Sequence, residues 1–367
     1  MRKSSTFNVH SVLMTRGSLL LQWTLGMLCL AVGLSACLGS TPPQNNANGT
    51  APVTPGSPVA CTSRSSQPVT LNFTYSSEKE AWIKDVVADF NSRNFAACDG
   101  PITVNATPAG SGQSMQDIVS GKLKPDMWSP AGGVWLSILN ARWQEKNNNS
   151  TIVGTSATDT PSLVSSPVVI AMWKPEAEAL GWPNKPIGWS DIAALSTNPR
   201  GWAAYGHPEF GDFKFGHTHP AYSNSGLDAI IAMNYAAANK VRGLTTDDVS
   251  ASKTKDFVSN VESSVIHYGD STGFFADKMF SNGPSYLSAT VMYENLVAEA
   301  NDGKTYPHLA FPVVAIYPKE GTFYSDHPLA TLNANWVTPQ KRAAAAVLQR
   351  FLLDTPQQKK ALQYGFR

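Results

Sequence analysis

From Val69 onward the chain alternates β-patterned runs with amphipathic runs at helical spacing, and this alternation constrains the fold more than any other feature. Val69-Thr70-Leu71-Asn72-Phe73-Thr74-Tyr75 reads as a strand, and residues 78–92 follow with Ile83, Val86, Val87 and Phe90 on one helical face. Ile102-Thr103-Val104-Asn105-Ala106 is the next strand, 114–121 a short helix, Pro125-Asp126-Met127-Trp128-Ser129 a third strand and 133–143 another helix. Strands and helices joined this closely demand a parallel sheet covered by helices, so the fold class is α/β. A second unit opens on the buried-strand pattern Ser166-Pro167-Val168-Val169-Ile170-Ala171-Met172-Trp173. It holds a helix over 225–239, helical stretches near 247–266 and 274–281, and a late strand at Thr290-Val291-Met292-Tyr293. Phe311–Tyr317 is a further strand, and a helix over 339–353 precedes a short one ending at Tyr364-Gly365-Phe366.

The N-terminal segment is of a different kind. Arg2, Lys3 and Arg16 precede a 16-residue, mostly apolar run from Leu19 to Leu34, and Ser35-Ala36-Cys37 follows. A basic start, an apolar core and small residues before a cut make an export signal. The run is interrupted by Gln22 and is short for a membrane span of about 20 residues. Leu34-Ser35-Ala36-Cys37 resembles a bacterial lipobox. That resemblance implies a signal over 1–36, a diacylglycerol on the Cys37 thiol and an extracytoplasmic protein hanging from a lipid bilayer. Residues 37–67 read as a tether rich in Pro, Asn, Thr, Ser and Gly, with a reach of about 30 Å.

Without the signal, 331 of the 367 residues remain, a length that suits two domains. Charged residues make up 15% and hydrophobic ones 42%, a globular balance. The net charge of +1, with no Lys or Arg run, excludes nucleic acid as an electrostatic partner. In an oxidising compartment Cys61 and Cys98 are an even pair suited to a disulfide, worth about 4 kcal/mol by loop entropy; two free thiols are the alternative.

Three loops follow the early strands: Tyr75-Ser76-Ser77, Ala109-Gly110-Ser111-Gly112-Gln113-Ser114 and Trp128-Ser129-Pro130-Ala131-Gly132-Gly133. Ligands of open parallel sheets bind beyond the carboxyl ends of the strands, and each loop offers hydroxyls and free N–H groups at a helix start. Helix capping is the plainer account of some of them, since Ser77 with Glu80, Ser114 with Asp117 and Ser225 with Asp228 fit the capping box. In the second unit His217-Thr218-His219-Pro220-Ala221-Tyr222-Ser223-Asn224-Ser225-Gly226 crowds hydroxyls at another helix start. Its two histidines lack Cys, Asp or Glu partners at metal-ligand spacing, so no metal is expected. Ser76-Ser77-Glu78-Lys79 fits Ser-x-x-Lys, but Ser-Asp-Asn and Lys-Thr-Gly are absent, as are Gly-x-Ser-x-Gly, the P-loop and His-Glu-x-x-His. No catalytic residue and no cofactor are expected; a serine enzyme is a remote alternative.

Taken in order, these motifs resemble the extracellular solute-binding proteins of bacterial importers, most closely the group related to molybdate- and sulfate-binding proteins. Thr218–Leu227 is similar to that group's second-lobe ligand segment, Val291-Met292-Tyr293-Glu294-Asn295 to its tyrosine-bearing strand, and Tyr364-Gly365-Phe366 to its ending. The resemblance covers residues 68–367 and implies a two-lobed periplasmic-binding-protein-like fold of type II with two hinge crossings. Lobe one would be 68–166, lobe two 167–307, and 308–367 would return to lobe one. It implies Ser76, Ser77, Ser111, Gly112, Ser129, Thr218, Ser223, Ser225 and Tyr293 as ligand contacts. It further implies a monomer that captures a small molecule or oxyanion and delivers it to a membrane permease. The insert over 174–215 departs from the small molybdate-binding pattern. Similar halves also precede von Willebrand factor A domains in bacterial surface proteins, which implies a sensing or adhesion module as the alternative.

Overall fold

The structure, a computed structural model, describes Cys61 and residues 64–367. The expected signal 1–36, the lipidated Cys37 and most of the tether lie outside the described residues. Along the chain, β1 (Val69–Ser76) runs through a 3-10 turn, Ser77–Lys79, into α1 (Glu80–Ser92). Then come β2 (Ala96–Ala97), β3 (Gly100–Ala109), α2 (Ser111–Ser120), β4 (Met127–Ser129) and α3 (Val134–Gln144). β5 (Ser166–Trp173), α4 (Lys174–Ala179), α5 (Trp189–Ser196), β6 (Phe215–Thr218) and α6 (Asn224–Ala238) follow. Next are α7 (Thr246–Ser250), α8 (Ser252–Glu262), β7 (Val265–Gly269), α9 (Thr272–Asn282), β8 (Ala289–Tyr293) and α10 (Glu294–Ala300). The chain continues through β9 (Val313–Ile316), β10 (Tyr324–Ser325), β11 (Ala330–Thr331), α11 (Pro339–Leu353) and α12 (Thr355–Gln363).

The strands form two sheets, one per lobe of a two-lobed mixed α/β fold. The first has the order β11-β4-β1-β3-β2, with β1 parallel to β3 and β4. Register runs from Val69 opposite Ile102 to Ser76 opposite Ala109, which brings the ends of β1 and β3 to one level. One face buries Leu71, Phe73, Ile83, Phe90, Leu348 and Phe351 under α1 and α11, and the other buries Trp128, Trp135 and Leu139. The second sheet has the order β10-β5-β8-β6-β7, with β9 also on β5. Every residue of β5 is buried, as its unbroken apolar pattern requires.

Two expectations are corrected by strand pairing. The strand over 311–317 does not return to lobe one at 308: β9 pairs antiparallel with β5, β10 does the same, and the chain rejoins the first sheet only at β11. The helical stretch 247–266 ends at Glu262, and Val265–Gly269 is an edge strand that alternates partly exposed and exposed residues. The 174–215 insert folds into the second core, where Trp189 and Trp202 are buried.

Two crossings join the lobes, and they bond to each other. Leu163 donates its N–H to the His327 carbonyl at 3.0 Å, and Leu329 to that of Pro161 at 2.9 Å. Ser165 exchanges both backbone bonds with Arg367, at 2.9 and 2.8 Å. Cys61 and Cys98 form a disulfide with their Cα atoms 5.5 Å apart, pinning the start of the described chain beside β2.

Candidate functional site

The parallel pairing of β1, β3 and β4 delivers three loops to one edge of the first sheet, and the loops after β6, β7 and β8 face them from the second. Ser76 is the last residue of β1 and Ser77 the first of the 3-10 turn. Ser111 and Gly112 open α2, and Ser129 ends β4. Thr218 ends β6, Ser223 precedes α6, Ser225 lies in its first turn, and Tyr293 ends β8. The hydroxyls among these residues are buried.

None of the serines proposed as capping residues caps its helix; their hydroxyls turn to other partners. Ser77 Oγ accepts the N–H of Gly273 at 2.9 Å and pairs with Ser271 Oγ, both from the second lobe at the start of α9. Ser114 lies inside α2, donates to the Gly110 carbonyl at 2.8 Å and accepts Trp128 Nε1–H at 3.0 Å. Ser225 Oγ lies 2.9 Å from both Thr218 Oγ1 and Thr272 Oγ1, and Ser223 Oγ lies 3.0 Å from Thr272 Oγ1. Thr218, Ser223, Ser225 and Thr272 therefore form one hydroxyl cluster in the second lobe. Ser111 Oγ accepts the Ala131 N–H at 3.0 Å, tying the second loop to the third.

A charged cluster underlies the β1 loop. Lys79 is fully buried, and its Nζ donates to Ser76 Oγ, to Glu78 Oε1 at 3.4 Å and to the Ser129 carbonyl at 3.2 Å. His327 Nδ1 lies 3.2 Å from that ammonium and 3.1 Å from Glu78 Oε1, and Ser76 donates to the same carboxylate. Burial alone would raise the Glu78 pKa; Lys79 and His327 overcome it and hold the carboxyl down at about 2. Burial lowers Lys79 to about 8, with Glu78 resisting. Burial, then the Lys79 charge, keep the His327 imidazole below its ordinary pKa. Its φ of +39° is unusual for a residue with a Cβ. Ser129 Oγ and His327 Nε2 are buried without a hydrogen-bond partner among the described residues, so both retain unused bonding capacity.

Across the cleft, Tyr293 OH accepts from Asn224 Nδ2 at 3.0 Å, and Asp228 Oδ2 accepts from the same amide at 2.7 Å. Burial raises Asp228 to about 7, and burial with the Glu78 and Asp228 charges holds the Tyr293 phenol protonated.

Sequence reading missed Lys79, His327, Asn224, Thr272 and Ser271. The Ser-x-x-Lys spacing was a visible signal for Lys79, because it puts Nζ on Ser76 Oγ. The ion pair with Glu78 opposes the loss of that ammonium's charge on burial. His217 and His219 do not converge: His217 is buried with Nε2 2.8 Å from Glu262, whereas exposed His219 stacks on Tyr222. Among the described residues no group of three or more His, Cys, Asp or Glu is arranged to hold a metal ion. Glu294 turns away from the cleft, onto Arg367 and Tyr317. Trp82, Trp128, Trp173, Trp189 and Trp202 fill cores; Trp135 alone among the buried tryptophans bonds across the cleft, to Asn224.

Comparison with known proteins now bears on this arrangement. No curated protein sequence matches the chain. Among solved structures it is similar to the sulfate-binding protein SubI from Mycobacterium tuberculosis H37Rv, with a TM-score of 0.55 and 16% identity over 82% of this chain and 86% of that one. A periplasmic thiamin binding protein gives a TM-score of 0.56 at 12% identity, covering 83% of this chain and 85% of the other. The periplasmic binding protein AfuA from Actinobacillus pleuropneumoniae, solved with fructose-6-phosphate, gives 0.52 at 14% identity over 83% of each chain. These likenesses establish the type II two-lobed fold. The family model for bacterial extracellular solute-binding proteins matches residues 71–367, all but the first two strand residues of the folded body, and the chain belongs to that family.

Proposed function

We propose that this protein is a lipid-anchored, extracytoplasmic solute-binding protein that captures a small polar ligand between its lobes and delivers it to the permease of an ABC-type importer. The observation that carries the reading is convergence. Ser77 meets Ser271 and Gly273 of the second lobe and Gly112 meets Tyr222, while Ser76, Ser111, Ser129, Thr218, Ser223, Ser225 and Tyr293 sit on the same sets of loops, nearly all at strand ends or helix starts, which supports them as ligand contacts. Such groups hold a dehydrated ligand through neutral donors and helix dipoles. Ser129 Oγ and His327 Nε2 add two buried polar atoms with capacity to spare. The Glu78–Lys79 pair balances its own charge, so recognition falls to hydroxyls and amides. On this reading the protein is not an enzyme, since the family it belongs to is one of solute-binding proteins. Lipid on Cys37 would keep the capture body beside the bilayer that holds its permease.

A melting screen tests this. A ligand at 100 times its Kd stabilises the folded state by about 2.7 kcal/mol. One class among oxyanions, sugar phosphates, sugars, thiamin-like cations, amino acids and ferric iron is expected to produce that shift. A flat response across all of them refutes capture and leaves a sensing or adhesion module as the better reading.

A further inference from the structure

The groups expected to meet a ligand also meet each other. The N–H groups of Gly112 and Gln113, at the start of α2, both donate to the Tyr222 carbonyl of the second lobe, at 2.8 and 3.0 Å. Gln116 Nε2, one turn on, donates to the Ala221 carbonyl at 2.9 Å. The Asn224 carboxamide reaches from the start of α6 into the first lobe, where its Oδ1 accepts Trp135 Nε1–H at 2.9 Å. Its Nδ2 is shared among Asp228, Tyr293 and Ser325. Two glycines make room for this approach. A Cβ on Gly112 would lie 2.3 Å from the Ala221 carbonyl oxygen, and one on Gly132 2.7 Å from Asn224 Oδ1. The Tyr222 carbonyl is held in place by a tight turn, in which Tyr222 and Ser223 both donate to the His219 carbonyl, at 2.9 and 3.0 Å.

We propose that the clamp is self-latched: the Tyr222 carbonyl and the Asn224 carboxamide occupy first-lobe donors and hold the lobes closed by protein–protein bonds. A carbonyl oxygen on two helix-start N–H groups does what an anionic ligand oxygen would do there. The two occupants compete, so a ligand binds in proportion to how often the latch opens. This last consequence rests on the capture reading; the latch itself does not.

The test is a distance measurement between spin labels on encoded residues replacing Lys122 in the first lobe and Lys253 in the second, both exposed. The purified protein without added solute is expected to give one short, narrow distribution. Asn224→Ala removes the Trp135 bond and is expected to raise the open-to-closed ratio roughly tenfold, the weight of about one net hydrogen bond. Gly112→Ala sets a Cβ 2.3 Å from the Ala221 carbonyl oxygen of the second lobe and 2.6 Å from the Trp135 ring of the first; the ring end can shift but the backbone carbonyl cannot, so this variant is expected to be mostly open. It serves even if Asn224→Ala does not fold. A wild type that is open and closes only on a solute overturns the latch and spares the capture reading. So does a wild-type distribution retained by both variants overturn it. A closed wild type opened by the variants, which no solute stabilises, sustains the latch and defeats capture.

Discussion

Replacing Glu78 by glutamine isolates the energetics of the buried charge cluster. The carboxylate has His327 Nδ1 at 3.1 Å and Lys79 Nζ at 3.4 Å, and the lysine is fully buried. The substitution keeps the side-chain shape but leaves a buried ammonium without its counter-charge. Breaking a buried pair in this way costs about 3–5 kcal/mol. Lys79 already titrates at about 8 in the folded protein, below the 10.5 of a free lysine, because of burial. Without Glu78 it falls further. Where the unfolded chain binds more protons than the folded one, stability rises with pH. The variant should therefore recover stability with rising pH over a window that opens below 8 and closes near 10.5. Denaturant unfolding at pH 6 to 10 measures this as a gap to wild type that narrows toward alkaline pH. Adding Lys79→Met should restore most of the loss at pH 7, giving a coupling of about 3 kcal/mol in the double-mutant cycle. A Glu78→Gln protein within about 1 kcal/mol of wild type and flat in pH would refute the view that this pair is desolvated and mutually dependent.

Three further outcomes are expected. Cys98→Ser opens the loop closed by the Cys61–Cys98 bond and should cost about 2–4 kcal/mol in a denaturant melt, with a reductant giving wild type the same loss. Asp126 is buried, accepts the Asn72 N–H at 2.9 Å and pairs with Lys341 at 2.9 Å; Asp126→Ala should destabilise by about 3–5 kcal/mol, as read from the unfolding midpoint. Burial raises Glu176 to about 8, so wild type loses stability as pH climbs from 4.5 to 8, and Glu176→Gln should flatten that part of the pH–stability profile.

The elements legible in the sequence are those whose periodicity is local. β5 and α11 were bounded to the residue because an unbroken apolar run and a Thr-Pro start each announce themselves over a few positions. β6, Phe-Gly-His-Thr, is too short to show a period, and β7 merged with the preceding helix because only the sheet edge explains its exposed Ile266 and Tyr268. The placement of β9 is decided by pairing with residues about 140 positions earlier, which no local pattern encodes. The loops of the candidate site were legible as serine and glycine at strand ends. Their partners were not. Ser77 meets Gly273 of the second lobe and Lys79 meets His327 of the second crossing, contacts nearly 200 and 250 residues apart that no local pattern encodes. The capping box lost at Ser77 to Gly273 and Ser271 of the other lobe, at Ser225 to Thr218 and Thr272, and at Ser114 to the Gly110 carbonyl one turn back and to Trp128.

The joined crossings have a mechanical consequence. Two strands bonded edge to edge, Pro161–Leu163 against His327–Leu329, behave as a leaf spring. Such a ribbon flexes easily out of its own plane and resists sliding within it, where every displacement breaks bonds. Such a joint would favour swinging of the lobes over slipping. On the latch proposal, a swing about this ribbon would return α2 to the Tyr222 carbonyl, and the cleft would re-form in the same register.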